Sequence, residues 1–362
     1  MVNWQGPWGT GPYKLVEGFS RPNVRSDEII LEANLNYWDT RRFPRLHRII
    51  FDNTLDQHQA VELVKTGEGR VDVVTELRPL DTLRVAESPF AKVVKNRDSG
   101  LSVFGLFNVH RAGGLWRDVR LRQAANLAIN REDLIRYAAK GNGVPIPALL
   151  PARSFGHDPD LKPYPFEPAR ARALLREAGY PNGLAITLIA SEDLEVQATV
   201  VSKMLEQGGF AVTLEILGPT TFAQKIVLSH LDRPAEHQPW DIALTSHQDH
   251  GEFAGPFWLY HGFALDGAYD WVIEEPELRR LFYEEVLGTV DQERQQQAIR
   301  QMERHTRDQA YFLFLYNPIQ LFAVNKAVEF VPYASTLLKL VETSVTEQHW
   351  SVRKQKADTQ ER

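Results

Sequence analysis

A polar loop in the second half of the sequence gathers the side chains that could most readily do chemistry. It follows the strand-like run WDIALTS (240–246) and contains two histidines and two carboxylates: His247, Asp249, His250 and Glu252. Imidazoles and carboxylates are ordinary metal ligands, but the spacing HxDHxE matches no metal motif, and loop residues of these types are more often simply solvated. We therefore do not predict a metal site.

Asp249 is better suited to bind a cationic group of a ligand. A carboxylate at the end of a strand can pair with an ammonium group, which aromatic rings then shield from water. Trp258 and Tyr260 follow closely enough along the chain to supply such rings, although both could equally be core residues. We predict that Asp249 anchors a ligand and that the two aromatic residues pack on it.

The sequence contains no recognisable catalytic constellation. It has no GxSxG, HExxH or DxDxDG pattern, and the absence of cysteine excludes thiolate nucleophiles, thiolate zinc sites and disulfides. Adjacent acids such as Glu274 and Glu275 have helical surroundings, where carboxylates are usually solvated. We predict no catalytic residue and no cofactor, and retain a hydrolase that uses acid pairs only as an alternative.

Composition limits the remaining classes of function. With 362 residues the chain has room for two domains, and its net charge of −6 argues against a nucleic-acid-binding protein, which usually carries a basic excess. Apolar runs such as YFLFLY (311–316) are too short to span a bilayer. Met1 is followed by VNWQGPWGTG, which has neither a basic nor an apolar signal region, so we predict no signal peptide in this chain.

Five predicted elements place the polar loop at the edge of a sheet. They are a strand at 185–190, a helix at 192–209, a strand at 211–217, a helix at 220–230 and a strand at 240–246. This alternation predicts a mostly parallel sheet with helices on its faces, and therefore an α/β fold. Ligands of such sheets bind beyond the carboxyl ends of the strands, where residues 247–252 lie.

The character of the chain changes after Asn108. The part before it alternates predicted strands with short helices, whereas the part after it is strongly helical and spaces Asn130 and Asp133 as a helix-capping pair. A proline-dense segment at 143–168 is long for a connection, so we expect it to be functional or to wrap a surface. The charged run RKQKADTQER at 353–362 predicts a frayed tail.

Five blocks of the sequence, in this order, resemble the family 5 solute-binding proteins of ABC importers. They are GTGPYKLVEG (9–18), LEANLNYWDTRRFPRLHRIIFDNTLD (31–56), ELVKTGEGRVDVV (62–74), FNVHRAGGLWRDVRLRQAANLAINREDLI (107–135) and HDPDLKPYPFEPARARALLREAGYPNG (157–183). The resemblance covers roughly residues 9–335. Members of this family bind oligopeptides, dipeptides, nickel chelates and some sugars.

The resemblance implies an α/β fold of the periplasmic-binding-protein type (type II, class C), in which two lobes joined by a hinge close over the solute. The first lobe would comprise residues 1–109 and 317–362, and the second would comprise residues 110–316. The chain would cross the hinge near Asn108 and Asn317, whose polar atoms would be free to contact the solute. It would return to the first lobe through a strand at 311–324.

The resemblance also implies a role for Asp249. In the peptide-binding branch of the family, the corresponding strand leads to an aspartate that pairs with the amino terminus of the peptide. Thr245 and Ser246 stand here where a glycine-tryptophan pair is usual, and His247 and His250 also depart from the common pattern. We therefore expect a peptide-like solute with altered contacts at the histidines, and keep a metal chelate, such as a nickel chelate, and a sugar as alternatives.

Family members carry a signal sequence and a long further segment before the GTGPY block, and that segment builds much of the first lobe. Met1 lies close to the block here, so we expect an incomplete first lobe, which would expose sheet edges, and an intact second lobe. By resemblance the protein would be a periplasmic or otherwise extracytoplasmic receptor, not an enzyme, that docks on a membrane permease. A truncated binding module with an interaction or sensor role is the alternative.

Replacing Asp249 with alanine tests its predicted role. The substitution removes the partner of a cationic ligand group, so a ligand bound through a buried ion pair should weaken by about 2–5 kcal/mol. Titration calorimetry with the wild-type and variant chains measures the change. An unchanged affinity would contradict the assignment.

Overall fold

The chain forms two compact units. The computed structural model describes residues 10–21, 24–227, 234–248, 271, 276–333 and 338–360. The first unit contains residues 1–96, 320–333 and 337–362, and the second contains residues 97–319 and 334–336.

The first unit begins with short antiparallel strands and two helices. Its elements are β1 (Tyr13–Glu17), β2 (Ser20–Arg21), β3 (Val24–Arg25), β4 (Glu28–Ala33), β5 (Arg48–Asp52), α1 (Gln57–Thr66), β6 (Val73–Val74), α2 (Thr82–Ala86) and β7 (Ala91–Asn96). Strands β1, β4 and β5 form one antiparallel sheet. Helix α1 begins as a capping box, in which the backbone N–H of Gln59 donates to the Asp56 carboxylate (2.8 Å).

The second unit alternates strands with longer helices. Its elements are β8 (Leu101–Phe107), α3 (Val119–Leu127), α4 (Arg131–Ala138), β9 (Gly143–Pro145), α5 (Pro168–Glu177), β10 (Leu184–Ser191), α6 (Glu195–Gln207), β11 (Phe210–Leu217), α7 (Pro219–Ile226), β12 (Ile242–Gln248), α8 (Pro276–Arg280), α9 (Gln292–Asp308) and β13 (Phe312–Pro318). The predicted cap of α4 is confirmed, because the Asn130 side chain accepts a hydrogen bond from the backbone N–H of Asp133 (3.1 Å).

A six-stranded mixed sheet forms the centre of the second unit, in the order β11-β10-β12-β8-β13-β9. β10 pairs in parallel with both β11 and β12, which confirms the parallel arrangement predicted from the alternation of strands and helices. β8 is antiparallel to β12 and to β13, and β13 is antiparallel to β9. The sheet is therefore mixed: β8 and β9 run opposite to the other four strands, whereas β13 runs in the same direction as β10, β11 and β12.

Both faces of this sheet are covered, since successive side chains of its central strands enter different hydrophobic clusters. On β8, Val103 and Phe107 belong to one cluster, which includes residues of α3, α4, α5 and α6. Phe104 and Leu106 belong to the other, which includes residues of α7, α8 and α9 and of the segment 146–150. The proline-dense segment thus wraps one face of the sheet, as expected, and buries Ile146, Leu149 and Leu150 there.

A buried arginine joins the helix pair α3–α4 to strand β13. The Arg131 guanidinium donates to the backbone oxygens of Phe314 (2.9 Å) and Tyr164 (3.1 Å) and to the side-chain oxygen of Asn126 (3.0 Å). Asn126 itself donates to Phe312 O (2.9 Å) and accepts from the N–H of Phe314 (3.1 Å). Burial lowers the pKa of Arg131 to about 9, which still leaves it charged at neutral pH. Its charge is therefore solvated by protein dipoles instead of water.

The chain ends in the first unit. Its last elements are β14 (Gln320–Asn325), β15 (Val328–Glu329), β16 (Ser344–Val345) and α10 (Trp350–Gln360). β14 lies between β6 and β7 and is antiparallel to both.

The boundary between the units differs from the predicted one at residues 109 and 110. β8 pairs with β12 and β13, so the second unit begins at Arg97. The single return strand predicted at 311–324 is in fact two strands. β13 ends at Pro318 in the second unit, and β14 begins at Gln320 in the first.

The prediction of a frayed tail from residue 353 is wrong as far as Gln360, because α10 continues to that residue. Contacts distant in sequence hold the start of this helix. Asp72 accepts hydrogen bonds from His349 Nε2 (3.1 Å) and Trp350 Nε1 (3.2 Å), and Arg353 forms an ion pair with Glu68 (2.5 Å). Local composition alone does not reveal such partners.

Gly105, in the middle of β8, has no room for a side chain. A Cβ atom there would lie 3.0 Å from Leu313 Cβ and 3.2 Å from Ile242 Cγ2, atoms of the two neighbouring strands. We expect Gly105→Ala to lower the free energy of unfolding by about 1–3 kcal/mol, because the strands must move apart. Urea unfolding measures the change. Gly67→Ala is the control, since a Cβ at Gly67 meets nothing within 4 Å, and an equal effect of the two substitutions would contradict the prediction.

Candidate functional site

One edge of the mixed sheet, which we call the carboxyl edge, is where its parallel strands β10, β11 and β12 end. β8 begins at the same edge, because His247 of β12 lies opposite Ser102 of β8 in the antiparallel register. β13 ends there too, since Tyr316 lies opposite Val103. The carboxyl edge therefore brings together the end of β12, the start of β8 and the end of β13.

Asn317 and Ser102 form a hydrogen-bonded junction at the carboxyl edge. Asn317 Nδ2 donates to Leu101 O (2.8 Å) and to Ser102 Oγ (2.7 Å), and Ser102 Oγ donates to Leu149 O (3.1 Å). Ser102 is completely buried, so these bonds replace the water that its hydroxyl would otherwise contact. The junction fixes β8, β13 and the segment that contains Leu149 relative to one another.

The polar atoms of Asn317 were predicted to be free. Its amide nitrogen is not free, because it donates hydrogen bonds to both Leu101 O and Ser102 Oγ. Asn317 nevertheless lies at the carboxyl edge, as does His247, whose side chain is partly buried. The roles of these two residues in solute binding stay predictions.

Asn108 lies at the other end of β8, roughly 20 Å from Ser102 for a strand of this length. It is completely buried, and its Nδ2 donates to the backbone oxygens of Trp240 (3.0 Å) and Gln238 (3.4 Å). The predicted freedom of the Asn108 polar atoms therefore does not hold for its amide nitrogen, whereas its Oδ1 has no hydrogen-bond partner among the described residues. Asn108 lies apart from Asn317, although both were predicted near the hinge. Each is at the carboxyl end of its strand, and because β8 and β13 are antiparallel these ends lie at opposite edges of the sheet.

Asp241, which the sequence analysis did not identify, fixes the amino end of β12. Its buried carboxylate accepts hydrogen bonds from the Thr187 backbone N–H (2.8 Å) and Trp116 Nε1 (3.3 Å), and it forms an ion pair with Arg111. The sequence feature that could have revealed this role is a carboxylate at the start of an otherwise apolar strand. β12 is held here, by β10 as far as Leu244 and by β8 as far as Gln248, so the pairing with β8 sets the position at which it ends.

The buried tryptophans near β12 belong to the hydrophobic core. Trp240 packs edge-to-face on Trp271, with ring centroids 4.6 Å apart, and Trp271 Nε1 donates to Ile226 O (2.6 Å). Trp116 stacks on Phe107 with ring centroids 4.7 Å apart. Among the described residues, each of these three indole rings packs against another aromatic ring of the protein.

Four of the predicted binding residues lie outside the described part of the chain: Asp249, His250, Trp258 and Tyr260. Glu252 also lies outside it. The described residues place the end of β12 that leads into this segment. The roles of the four residues therefore stay predictions.

Two general features of the described residues bear on the kind of site. The described residues contain no group of three or more histidine, aspartate or glutamate side chains that could hold a metal ion. None of the helices that the structure describes is long and apolar enough to cross a membrane.

Comparison with known proteins identifies the relatives of this chain. A family profile described as "Bacterial extracellular solute-binding proteins, family 5 Middle" matches residues 3–264. The glutathione-binding protein GsiB of Pectobacterium atrosepticum is 32% identical over 187 residues, which cover 52% of this chain and 34% of that protein. The dipeptide-binding protein of Escherichia coli is 30% identical over 185 residues, which cover 51% of this chain and 32% of that protein.

The fold has a counterpart among solved structures. The periplasmic binding protein DppA of Helicobacter pylori, in complex with the peptide STSA, superposes with a TM-score of 0.74 at 18% sequence identity. The superposition covers 93% of this chain and 63% of that one. The predicted periplasmic-binding-protein fold is therefore confirmed. The alignments with the two sequence relatives span about a third of their length.

Replacing Ser102 with alanine tests the junction at the carboxyl edge. The change leaves Leu149 O without its donor and removes one acceptor of Asn317, so we expect a loss of about 1–3 kcal/mol in the free energy of unfolding. Chemical unfolding measures it. Thr199→Ala is the control, because that hydroxyl is exposed on α6, where substitution usually changes stability by about 0.5 kcal/mol or less. Equal losses of unfolding free energy in Ser102→Ala and Thr199→Ala would show that the junction does not stabilise the fold.

Proposed function

The chain belongs to the bacterial extracellular solute-binding proteins of family 5, and on this premise we propose that it binds a peptide or a similar small solute as the receptor of an ABC importer. Two relatives support this choice of solute, since one is named for binding glutathione and the other for binding dipeptides. Glutathione is itself a peptide, so the two names agree on the chemical class. The named relatives are binding proteins, which supports a function without catalysis.

The observation that carries the proposal is the construction of the carboxyl edge. In α/β sheets of this kind, ligands bind beyond the carboxyl ends of the parallel strands. Here β12 is held at its amino end by Asp241, pairs with β10 as far as Leu244 and pairs with β8 as far as Gln248. The residues that follow β12 therefore start from a fixed position. A binding site needs rigid support of this kind.

We assign the solute contacts as follows. Asp249 pairs with an ammonium group of the solute, while Trp258 and Tyr260 pack against its apolar part. His247 and His250 contribute polar contacts that distinguish one solute from another. Asn317 orders the edge through the Ser102 junction. Asn108 is buried at the opposite end of β8, and its contact with the solute stays a prediction.

Import would require two further steps that the family resemblance predicts. Closure of two lobes would follow from a solute that binds the closed state more tightly than the open one. The closed form would then dock on a membrane permease outside the cytoplasm. Closure, the permease partner and the location all stay predictions.

Direct binding measurements test the proposal. The purified chain is titrated with glutathione, with a set of dipeptides and with the peptide STSA, and free amino acids serve as the control. We expect at least one peptide to bind with a Kd of about 1 µM or tighter, corresponding to about −8 kcal/mol. At a hundredfold excess over Kd, that peptide should stabilise the fold by about 2.7 kcal/mol in thermal unfolding.

The amino-terminally acetylated form of the same peptide serves as the matched ligand. It should bind more weakly, because acetylation removes the charge that Asp249 pairs with. A chain that binds no peptide at millimolar concentration would refute the proposal. A stable dimer without any solute affinity would favour an interaction module instead.

A further inference from the structure

We propose that Asn182 is a site of spontaneous covalent modification, at which its side-chain amide is lost to yield aspartate and isoaspartate. The site lies in the turn between α5 and β10, which we call the α5–β10 turn, at the edge of the sheet opposite the carboxyl edge. The proposal therefore goes beyond the proposed function and does not depend on it. It is drawn from the backbone of the turn, from the exposure of Asn182 and from the contrast with a second asparagine–glycine pair.

The reaction needs only the chain itself and water. The backbone nitrogen of Gly183 loses its proton and attacks Cγ of Asn182, so that an N–Cγ bond forms and the Cγ–Nδ2 bond breaks. Nδ2 takes up a proton and leaves as ammonia, and a five-membered succinimide ring remains between the two residues. Water then opens the ring at either carbonyl, which gives aspartate or isoaspartate. No group is oxidised or reduced.

Glycine at position 183 removes the steric barrier to this attack. Because Gly183 has no Cβ atom, no side chain obstructs the path from its nitrogen to Cγ of Asn182. Its φ of +96° is a left-handed conformation that glycine adopts readily. A Cβ atom there would also lie 2.8 Å from Gly209 O, so the fold itself requires glycine at this position. The structure thus maintains the residue that makes the asparagine reactive.

The α5–β10 turn leaves the Asn182 side chain unrestrained. Pro181, Asn182 and Gly183 are all exposed, and neither polar side-chain atom of Asn182 has a hydrogen-bond partner among the described residues. The reacting nitrogen of Gly183 donates to Tyr180 O (3.2 Å), and this hydrogen bond closes the turn. Because the bond lies in an exposed turn, it opens at a small free-energy cost compared with global unfolding.

The other asparagine–glycine pair of the sequence, Asn142–Gly143, has the opposite surroundings. Asn142 is 4% exposed, and its Nδ2 donates to Ala139 O (3.0 Å) and to Lys140 O (3.2 Å). A Cβ atom on Gly143 would lie 2.6 Å from the ring of Tyr316, so the backbone here is closely packed. Attack on the side-chain carbon requires these contacts to open first. The same dipeptide should therefore react in the α5–β10 turn and be protected here.

The isoaspartate product lengthens the backbone at the start of β10. Its main chain runs through Cγ, which inserts one methylene group between residues 182 and 183. Gly183 packs closely on Gly209 at this point, and Leu184 N donates to Gly209 O (3.3 Å) where β10 begins its parallel pairing with β11. We expect the insertion to loosen this end of the pairing and to lower stability. The aspartate product changes the charge alone.

Mass-spectrometric peptide mapping tests the proposal with the full chain. The folded protein is incubated in mildly alkaline buffer, and each asparagine–glycine pair is followed through the mass change that accompanies replacement of an amide NH2 by OH. A sample unfolded in guanidinium chloride gives the rates without structure. We expect Asn182 to convert at least about tenfold faster than Asn142 in the folded chain, because only Asn142 requires buried contacts to open. In the unfolded chain the two rates should be similar.

Two substitutions of Asn182 separate the steps. Asn182→Gln is the matched control, because its longer side chain would have to close a six-membered ring, which forms far more slowly. It should abolish conversion at residue 182 and leave conversion at Asn142 unchanged. Freshly purified Asn182→Asp reproduces the charge of the product without lengthening the backbone. Aged wild type should gain a population that elutes with this variant in anion exchange, because the net charge of −6 becomes one unit more negative.

Urea unfolding then measures the structural effect. We expect the isoaspartate fraction to unfold at a lower urea concentration than fresh wild type, and fresh Asn182→Asp to unfold close to wild type. Equal conversion of Asn182 and Asn142 in the folded chain would overturn the proposal, as would conversion at neither residue while the unfolded chain reacts. Unchanged unfolding of the isoaspartate fraction would refute the loosening of β10.

Discussion

The buried guanidinium of Arg131 is the interaction on which the order of the second unit depends. Its charge lies among protein oxygens from Asn126, Tyr164 and Phe314, which belong to different parts of the chain. Removing such a group would leave several buried acceptors unpaired at once, which is costly in a medium of low dielectric constant. The contact with Phe314 holds β13 in place, and β13 carries Asn317 to the junction with Ser102. The carboxyl edge thus takes its shape from a charge buried deep inside the unit.

The same edge combines rigid support with exposed charge. Its backbone is fixed by sheet pairing and by the Ser102 junction, while its charged side chains remain in contact with water. A site of this kind loses little conformational entropy in its backbone when a ligand binds. Specificity can then depend on a small number of charges at defined spacings.

Sequence patterns predicted the features of this fold that are local. The alternation after residue 184 predicted the parallel strands, and the spacing of Asn130 and Asp133 predicted a helix cap, because both depend on neighbours along the chain. The central position of β8 was not predicted, since its partners β12 and β13 are distant in sequence.

The same limit applies to the candidate site. The sequence placed the carboxyl edge near residue 247, as the pairing of β12 confirms, but it grouped Asn108 with Asn317 and did not identify Asp241. An aspartate at the start of a strand has ordinary local surroundings, and only the folded chain shows its partners. For the same reason, the charged carboxyl-terminal run gave no sign of its contacts with Asp72 and Glu68. The block RLRQAANLAINRED, which lies in a segment that resembles the family, supplies Asn126 and Arg131 to internal hydrogen bonds. Residues of this kind can reveal the kinship of a protein without touching its cargo, so for this chain the family and the identity of the solute are separate questions.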